Sequence, residues 1–387
     1  MNNFLYSAVS DVLVGPDTSN QLGDLAAAMG IKRALIVTDP GIIQFGLLDT
    51  AIENLKANNI ELSIYSDVVA DPPESVVIDA VAAAQAFGCD GVVGFGGGTS
   101  MDVAKLLAVL IKGEQQLADI YGVDQINGGR LPLIQVPTTA GTGSEATMVS
   151  IITTGETTKA GVVSRTLLAD KVILDAKLTL GLPPAVTAAT GIDAMVHAIE
   201  AYTSQRLKNP LSDMLAREAL RLMAGNITTA VKQGDNVEAR SAMLLGAMLA
   251  GQAFANAPVA AVHALAYPLG GNYHIPHGLS NSLVLPHVLR FNAPVASELY
   301  AELAPIVFPG QTLPTDALKV SEVLADYFLT LAADLGLPTT LRQMNIPEPD
   351  LPMLAEEAML QQRLLINNPR EVSFDDALSI YQQAFKV

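Results

Sequence analysis

The stretch GVVGFGGGTSMDVAKLLAVLI, residues 91–111, reads as strand, glycine turn and helix in immediate succession. Gly91–Phe95 is a short run of β-formers, and Thr99–Ile111 repeats its apolar residues at helical spacing. Between them lies Gly94-Phe95-Gly96-Gly97-Gly98-Thr99-Ser100. Glycines let the backbone approach a phosphate closely, and a helix N-terminus adds free N–H groups and a positive dipole end. The loop is not a Walker motif, since no Gly-Lys-Ser/Thr follows, and it lacks the G-x-G-x-x-G spacing. Taken alone it reads equally well as a tight turn. Its place at the carboxyl end of a parallel strand is where ligands of open α/β sheets bind.

The same rhythm continues on both sides. Arg33–Thr38, Glu61–Tyr65 and Leu131–Val136 read as strands, and 45–57 and Pro73–Phe87 as helices. Alternation of this kind predicts a parallel sheet covered on both faces. Met148–Thr153 and Lys171–Leu174 read as strands of an edge hairpin region. A second polar, glycine-containing loop, Pro137–Glu145 (PTTAGTGSE), follows the fourth strand. Two such loops after neighbouring strands favour a shared dinucleotide over two surface turns. Asp39 ends the first strand of this series. A carboxylate there accepts hydrogen bonds from an adenosine ribose and repels a 2′-phosphate, which favours NAD over NADP; it also reads as the aspartate of an Asp-Pro-Gly turn.

Near residue 180 the pattern changes. After Leu182-Pro183-Pro184 the chain is helical almost to its end, with Thr187–Thr203, Pro210–Ala224, Val237–Ala255 and Val320–Leu335 all at helical spacing. The fold expected is an α/β N-terminal dinucleotide-binding domain with a parallel sheet, residues 1–180, followed by an all-α C-terminal metal-binding domain, residues 181–387. The 387-residue length is consistent with two domains.

Between Arg240 and Arg290 there is no Asp, Glu, Lys or Arg, yet His263, His274, His277 and His287 fall there, four of the five histidines. Histidines in an apolar, uncharged region are costly to bury without a partner, and a divalent metal is one. The fifth, His197, follows Asp193 at i+4, so the two share a helix face and can chelate one ion. Asp193, His197, His263 and His277 make a one-carboxylate, three-imidazole set that suits Fe(II) or Zn(II). His274 competes with His277 as ligand or serves as proton donor. His287 reads as a packing or capping residue, and Glu200, one turn past His197, either supports the site or faces solvent.

The bulk properties exclude other classes. A net charge of −17 leaves no basic footprint for nucleic acid. The single cysteine, Cys89, permits no intramolecular disulfide and fits a reducing cytoplasm. Residues 1–10 lack the pattern of a signal peptide. The apolar run 241–270 is broken by Gln252, Asn256, Pro258 and His263, and reads as a buried helix pair rather than a membrane span.

Gly96–Lys105 (GGGTSMDVAK), Pro137–Glu145, Thr190–Tyr202 (TGIDAMVHAIEAY), His263–Gly270 (HALAYPLG), Pro276-His277-Gly278 and Asn368-Pro369-Arg370 together resemble the iron-containing (group III) alcohol dehydrogenases, in order and over nearly the whole chain. The resemblance implies an active site in the cleft between the two domains. It implies Fe(II), or Zn(II) as in some members, on Asp193, His197, His263 and His277, and NAD(P)-linked interconversion of alcohols with aldehydes or ketones. The cofactor positions it implies are Asp39, Gly96, Gly97, Gly98, Thr99, Ser100, Thr138, Thr139, Thr142, Lys159, Leu180 and Leu182. It also implies a homo-oligomer, most often a dimer. One departure concerns the histidine that many members carry four residues after the third ligand: here Tyr267 stands in that place, so Tyr267 or His274 is expected to relay the proton. Another is Asp71-Pro72 in place of Asn-Pro, which puts a cofactor contact in doubt. Glycerol-dehydrogenase-like, maleylacetate-reductase-like and dehydroquinate-synthase-like activities are the neighbouring alternatives. A metal-dependent hydrolase or a non-catalytic binding protein would leave both glycine loops without a role.

Overall fold

The computed structural model describes residues 3–155 and 158–386, so the expectations for the two outermost chain ends lie outside the described residues. The chain divides into two compact units. One is Ser7–Gly181; the other starts at Leu182 and includes the N-terminal residues through Tyr6. Burial raises the Tyr6 phenol above its ordinary pKa and the Gln252 side chain of that second unit opposes this.

In the first unit the strands are β1 (Asp11–Val14), β2 (Arg33–Val37), β3 (Glu61–Tyr65), β4 (Gly91–Gly96), β5 (Gly122–Val123), β6 (Leu133–Pro137), β7 (Val149–Thr154), β8 (Thr158–Val163) and β9 (Lys171–Leu174). The helices are α1 (Leu22–Ala28), α2 (Pro40–Gln44), α3 (Asp49–Ala57), α4 (Glu74–Phe87) and α5 (Gly98–Lys112). Six strands form one parallel sheet in the order β1-β9-β6-β4-β2-β3. Its central strands β4 and β6 are buried along their whole length, as expected when helices cover both faces. Phe95, Ile134, Val136 and Ile173 pack with Leu22, Ala26 and Leu55 from the helices on one side.

Two expectations are corrected. Lys171–Leu174 is not part of an edge hairpin: β9 lies inside the main sheet, between β1 and β6, where three of its four residues are buried. The hairpin partner of β7 is β8, antiparallel to it, whose polar start Thr158-Lys159 hides its strand character. The helix expected over 45–57 is two helices. Asp39 caps α2 through Gly41 N and Ile42 N, and Gly46, at φ +66°, turns the chain before α3 begins at Asp49.

The second unit is helical: α6 (Pro184–Thr203), α7 (Pro210–Lys232), α8 (Val237–Asn256), α9 (Ala261–Tyr273), α10 (His277–Val307), α11 (Ala317–Asp334), α12 (Leu351–Met359), α13 (Gln362–Leu365) and α14 (Phe374–Lys386). Helix α6 is the hub, packed by α7, α8 and α10. This explains why it is buried nearly all round from Thr187 onward. Helices α8 and α9 meet at a bend of 107°, and no single helix among the described residues is long and apolar enough to cross a membrane.

Candidate functional site

Asp193 and His197 stand one turn apart on α6. His263 lies in the first turn of α9, and His277 opens α10. Gly278 makes this possible. A Cβ there would lie 2.4 Å from the Ala189 carbonyl oxygen and 3.2 Å from Cβ of Asp193, so a larger residue would push the start of α10 off α6. One ligand atom from each of the four residues falls within 4.8 Å of all the others. Asp193 Oδ1 is 3.9 Å from Nε2 of His197 and of His263, and 3.7 Å from Nε2 of His277. An ion held tetrahedrally at roughly 2.0–2.1 Å would set its ligands about 3.4 Å apart, so a slight contraction admits one. The donor set fits a divalent transition metal. The Asp193 side chain is 2% exposed and that of His277 43%, so the cluster opens to solvent on the His277 side. Burial pushes the Asp193 carboxyl up, but His197, His277, His263 and the Asn281 amide outweigh it and hold it below its usual range.

Two further side chains orient the cluster. Glu200, buried on α6, has Oε2 2.6 Å from His263 Nδ1, and its Oε1 accepts from Val262 N at 2.7 Å. A carboxylate only accepts, so Nδ1–H donates and the Nε2 lone pair faces the cluster. Of the two roles open to Glu200, support of the site is the one its geometry allows. Asn281, fully buried one turn after His277, donates Nδ2 to Asp193 Oδ1 at 2.6 Å and lies 3.3 Å from Nε2 of His263 and of His277. Sequence reading missed Asn281, although its i+4 spacing from His277 was a usable signal. Glu200→Gln should weaken metal binding about 10- to 100-fold, read by competition titration with a chromophoric chelator. Unchanged affinity would remove Glu200 from the site.

The remaining sequence candidates separate. Tyr267, one turn after His263, has its ring 6.1 Å from that of His277. Burial raises its phenol above the usual range and Arg363 opposes this. His274 is not brought to the cluster. It is exposed, in left-handed conformation at φ +53°, and ends α9 by donating its N–H to Gly270 O. His287 packs inside α10, where burial lowers its pKa to about 4. Phe254 stacks on His197 with ring centroids 4.5 Å apart.

In the first unit, the carboxyl ends of β2, β4 and β6 bring Asp39 and both glycine loops together. A Cβ on Gly96, at φ +153°, would meet Ser100 Oγ at 2.8 Å and Asp39 Oδ2 at 3.3 Å; one on Gly98 would meet Thr142 at 2.7 Å. On the Gly97 side the nearest atoms, from Thr139, are 3.8 Å away. Helix α5 starts at Gly98 with no side-chain cap, so its first N–H groups, Thr99 and Ser100 among them, are available to a phosphate. Thr138 is tied to β4 through Gly96 O at 2.9 Å. Asp39 spends Oδ1 on capping α2, which leaves Oδ2 facing the loop. These features fit a dinucleotide. Lys159 is paired with Asp71 and donates to Thr153 Oγ1 at 3.2 Å. Leu180 and Leu182 are half-buried after β9.

Glu145, at the end of the second loop, is 1% exposed, and its Oε1 has no hydrogen-bond partner among the described residues. Burial lifts its pKa from 4.5 to about 7, against the opposing pull of its own backbone N–H and of Lys105. Below pH 4.5 the carboxyl is neutral in both folded and unfolded chains. Between pH 4.5 and 7 only the unfolded chain ionises, so stability falls as pH rises. Above pH 7 the full cost remains, about 3 kcal/mol at most. Glu145→Gln should therefore raise the urea midpoint at pH 8 and leave it unchanged at pH 4; an equal shift at both would refute the assignment.

Residues 10–176 match the family described as iron-containing alcohol dehydrogenase, and residues 187–385 match the C-terminal part of the Fe-containing alcohol dehydrogenase family. Long-chain-alcohol dehydrogenase 1 of Geobacillus thermodenitrificans (strain NG80-2) is 41% identical over 380 residues, 96% of this chain and 94% of that one. The crystal structure of a 1,3-propanediol oxidoreductase superposes with a TM-score of 0.95 at 36% identity, covering 99% of this chain and 100% of the other. Sulfoacetaldehyde reductase from Bifidobacterium kashiwanohense, solved in complex with NAD+, gives 0.88 at 28% identity with 100% of both chains covered. The chain belongs to the iron-containing alcohol dehydrogenase family. It is an oxidoreductase of alcohols and aldehydes, and these comparisons lend no support to the glycerol-dehydrogenase-, maleylacetate-reductase- or dehydroquinate-synthase-like alternatives.

Proposed function

We propose that this chain interconverts small primary or secondary alcohols with aldehydes or ketones at the Asp193–His197–His263–His277 cluster, with Fe(II) as its metal and NAD as its hydride carrier. The observation that carries the reading is the convergence of those four ligand atoms from three helices within 4.8 Å. A bound divalent ion supplies Lewis acidity, and the nicotinamide supplies or accepts the hydride. The chain's own residues do the rest. Glu200 fixes the His263 tautomer, and Asn281 orients Asp193. Tyr267 stands beside His277, with ring centroids 6.1 Å apart, and in this reading its hydroxyl passes the proton on. His274, exposed and outside the cluster, is the weaker relay candidate.

Asp39, Gly96, Gly97, Gly98, Thr99, Ser100, Thr138, Thr139 and Thr142 hold the dinucleotide in this reading, with Lys159, Leu180 and Leu182 completing the contacts by their match to family positions. The Asp39 carboxylate favours NAD over NADP by repelling a 2′-phosphate. Zn(II) suits the same ligands, so the assay decides between the ions. The chain works as a homodimer or higher homo-oligomer in a reducing cytoplasm, a reading supported by the family resemblance and by the buried, unpaired Cys89.

The test is NADH oxidation with a short-chain aldehyde, using protein stripped of metal and reloaded anaerobically with Fe(II) or Zn(II). Restored turnover supports the proposal and names the competent ion. No turnover with either ion and any aldehyde, ketone or alcohol sinks it.

A further inference from the structure

We propose that Ser204 and Asn367 are positioning residues for the metal site, and that they act by holding the bend between α8 and α9 that brings His263 to the cluster. The inference rests on the cluster being the metal site. The sequence Asn256-Ala257-Pro258 ends α8. Pro258 has no N–H to continue the helix, and it forces Ala257 before it into extended backbone, at φ −142° and ψ 91°. Helix α9 then starts at Ala261 with its axis turned 107° from that of α8, and His263 follows two residues later. Ala257, Val259 and Ala260 are buried, so the connector crosses the interior with carbonyls that lie between two helical ladders and need other donors.

Side chains from three other places in the helical unit supply them. Ser204, which caps the end of α6, donates Oγ–H to Pro258 O at 2.8 Å; the same hydroxyl is 3.1 Å from Arg206 O. Asn367, just after α13, donates Nδ2 to Val259 O at 2.9 Å and to Arg363 O at 3.0 Å. Asn209, at the start of α7, reaches Asn256 O with Nδ2 at 3.3 Å. All three residues are buried. Asn209 also accepts from Ser212 N at 2.9 Å, so its loss uncaps α7 as well. Ser204 and Asn367 are the two whose hold on the bend can be tested without that complication.

These contacts close a frame around His263. Ser204 lies one turn beyond Glu200, which accepts from Val262 N and meets His263 Nδ1. The end of α6 therefore grips the chain at Pro258 and again at Val262 and His263. Asn367 braces the same frame, because its own carbonyl accepts from Gln205 N at 2.7 Å, beside Ser204. Val259 and His263 are four residues apart, so the turn that these donors hold is the turn that aims the imidazole. A metal site needs its ligands placed within roughly 0.5 Å. Removing a donor leaves a buried carbonyl unpaired, and the connector relieves this by shifting the start of α9.

The experiment measures Co(II) affinity, by competition with a chromophoric chelator, and the d–d absorption of the Co(II)-loaded protein, in wild type, Ser204→Ala, Ser204→Thr and Asn367→Leu. Leu324→Ala is the control, a buried truncation in α11, a helix that supplies none of the four ligands and none of the three donors. Expected is a loss of Co(II) affinity of about tenfold in Ser204→Ala and in Asn367→Leu, with an altered d–d spectrum, and a return toward wild type in Ser204→Thr, which keeps the hydroxyl. Leu324→Ala should lower the melting temperature at least as much and leave both metal readouts at wild-type values. Affinity and spectrum unchanged in both variants, or changed equally in Leu324→Ala, overturns this proposal and leaves the cluster reading intact. If Asn367→Leu does not fold, Ser204→Ala decides: the tenfold loss supports the proposal and wild-type affinity overturns it. A wild type that takes up no Co(II) overturns both readings.

Discussion

Replacing His263 by Ala should strip the protein of metal and of turnover while NADH binding survives. His263 is one of the four proposed donors, and the 2.6 Å contact of its Nδ1 with Glu200 fixes its orientation. Without the imidazole, Asp193 keeps only the partners on α6 and α10. Loss of a Lewis acid worth several kcal/mol to the transition state lowers kcat/KM about a thousandfold or more. The glycine loops lie in the other unit, so NADH fluorescence should titrate as in wild type. The truncation also strands the buried Glu200 carboxylate, whose remaining partner is Val262 N. Stability must therefore be followed alongside activity. The double variant Glu200→Gln/His263→Ala should recover part of the lost melting temperature and none of the metal. A His263→Ala protein that kept full metal content would remove this residue from the ligand set.

How far such a site can be read from sequence depends on whether its members sit within one helical turn of each other or in a compositionally odd stretch. Asp193 and His197 are i and i+4, and the absence of charge between Arg240 and Arg290 singles out His263 and His277. The structure brings all four together. Spacing does not tell His274 from His277. The left-handed turn that ends α9 at His274 decides it, by turning that side chain to solvent and letting Pro276 start a new helix at His277. The fold divides in the same way. Strands β2, β4 and β6 are largely apolar runs and β3 alternates polar with apolar residues, so all four are legible as strands. β1, half-exposed, and β8, which opens on polar residues, are defined by their neighbours in the sheet rather than by their own pattern. The same holds for β9: its four residues match the expected strand, but only pairing shows that it sits between β1 and β6.

Lys105→Met should cost about 3–5 kcal/mol of stability, because it removes one member of a buried charge pair and leaves the other. Lys105 is completely buried in α5. Its Nζ reaches Ser144 Oγ and Val149 O at 2.8 Å, Thr147 Oγ1 at 3.0 Å and Asp102 Oδ1 at 3.3 Å. Burial pulls the ammonium's pKa down, while Asp102 and Glu145 push it back up. Asp102 in turn accepts from the Ser144 hydroxyl and from Ile151 N. The network thus ties the helix that begins at Gly98 to the loop following β6 and to strand β7, and so fixes the spacing of the two loops proposed to hold NAD. Methionine keeps much of the volume but none of the donors, so Ser144, Thr147 and Val149 lose a shared partner and Asp102 loses its counter-charge. Denaturant unfolding should show the loss, and NADH should bind more weakly while metal content stays unchanged, since the cluster lies in the other unit. Asp102→Asn in the Lys105→Met background should restore part of the stability, and the double-mutant cycle gives their coupling directly. A cycle with no coupling would mean that Lys105 acts through its hydroxyl and carbonyl partners alone, and that the carboxylate is held by Ser144 and Ile151.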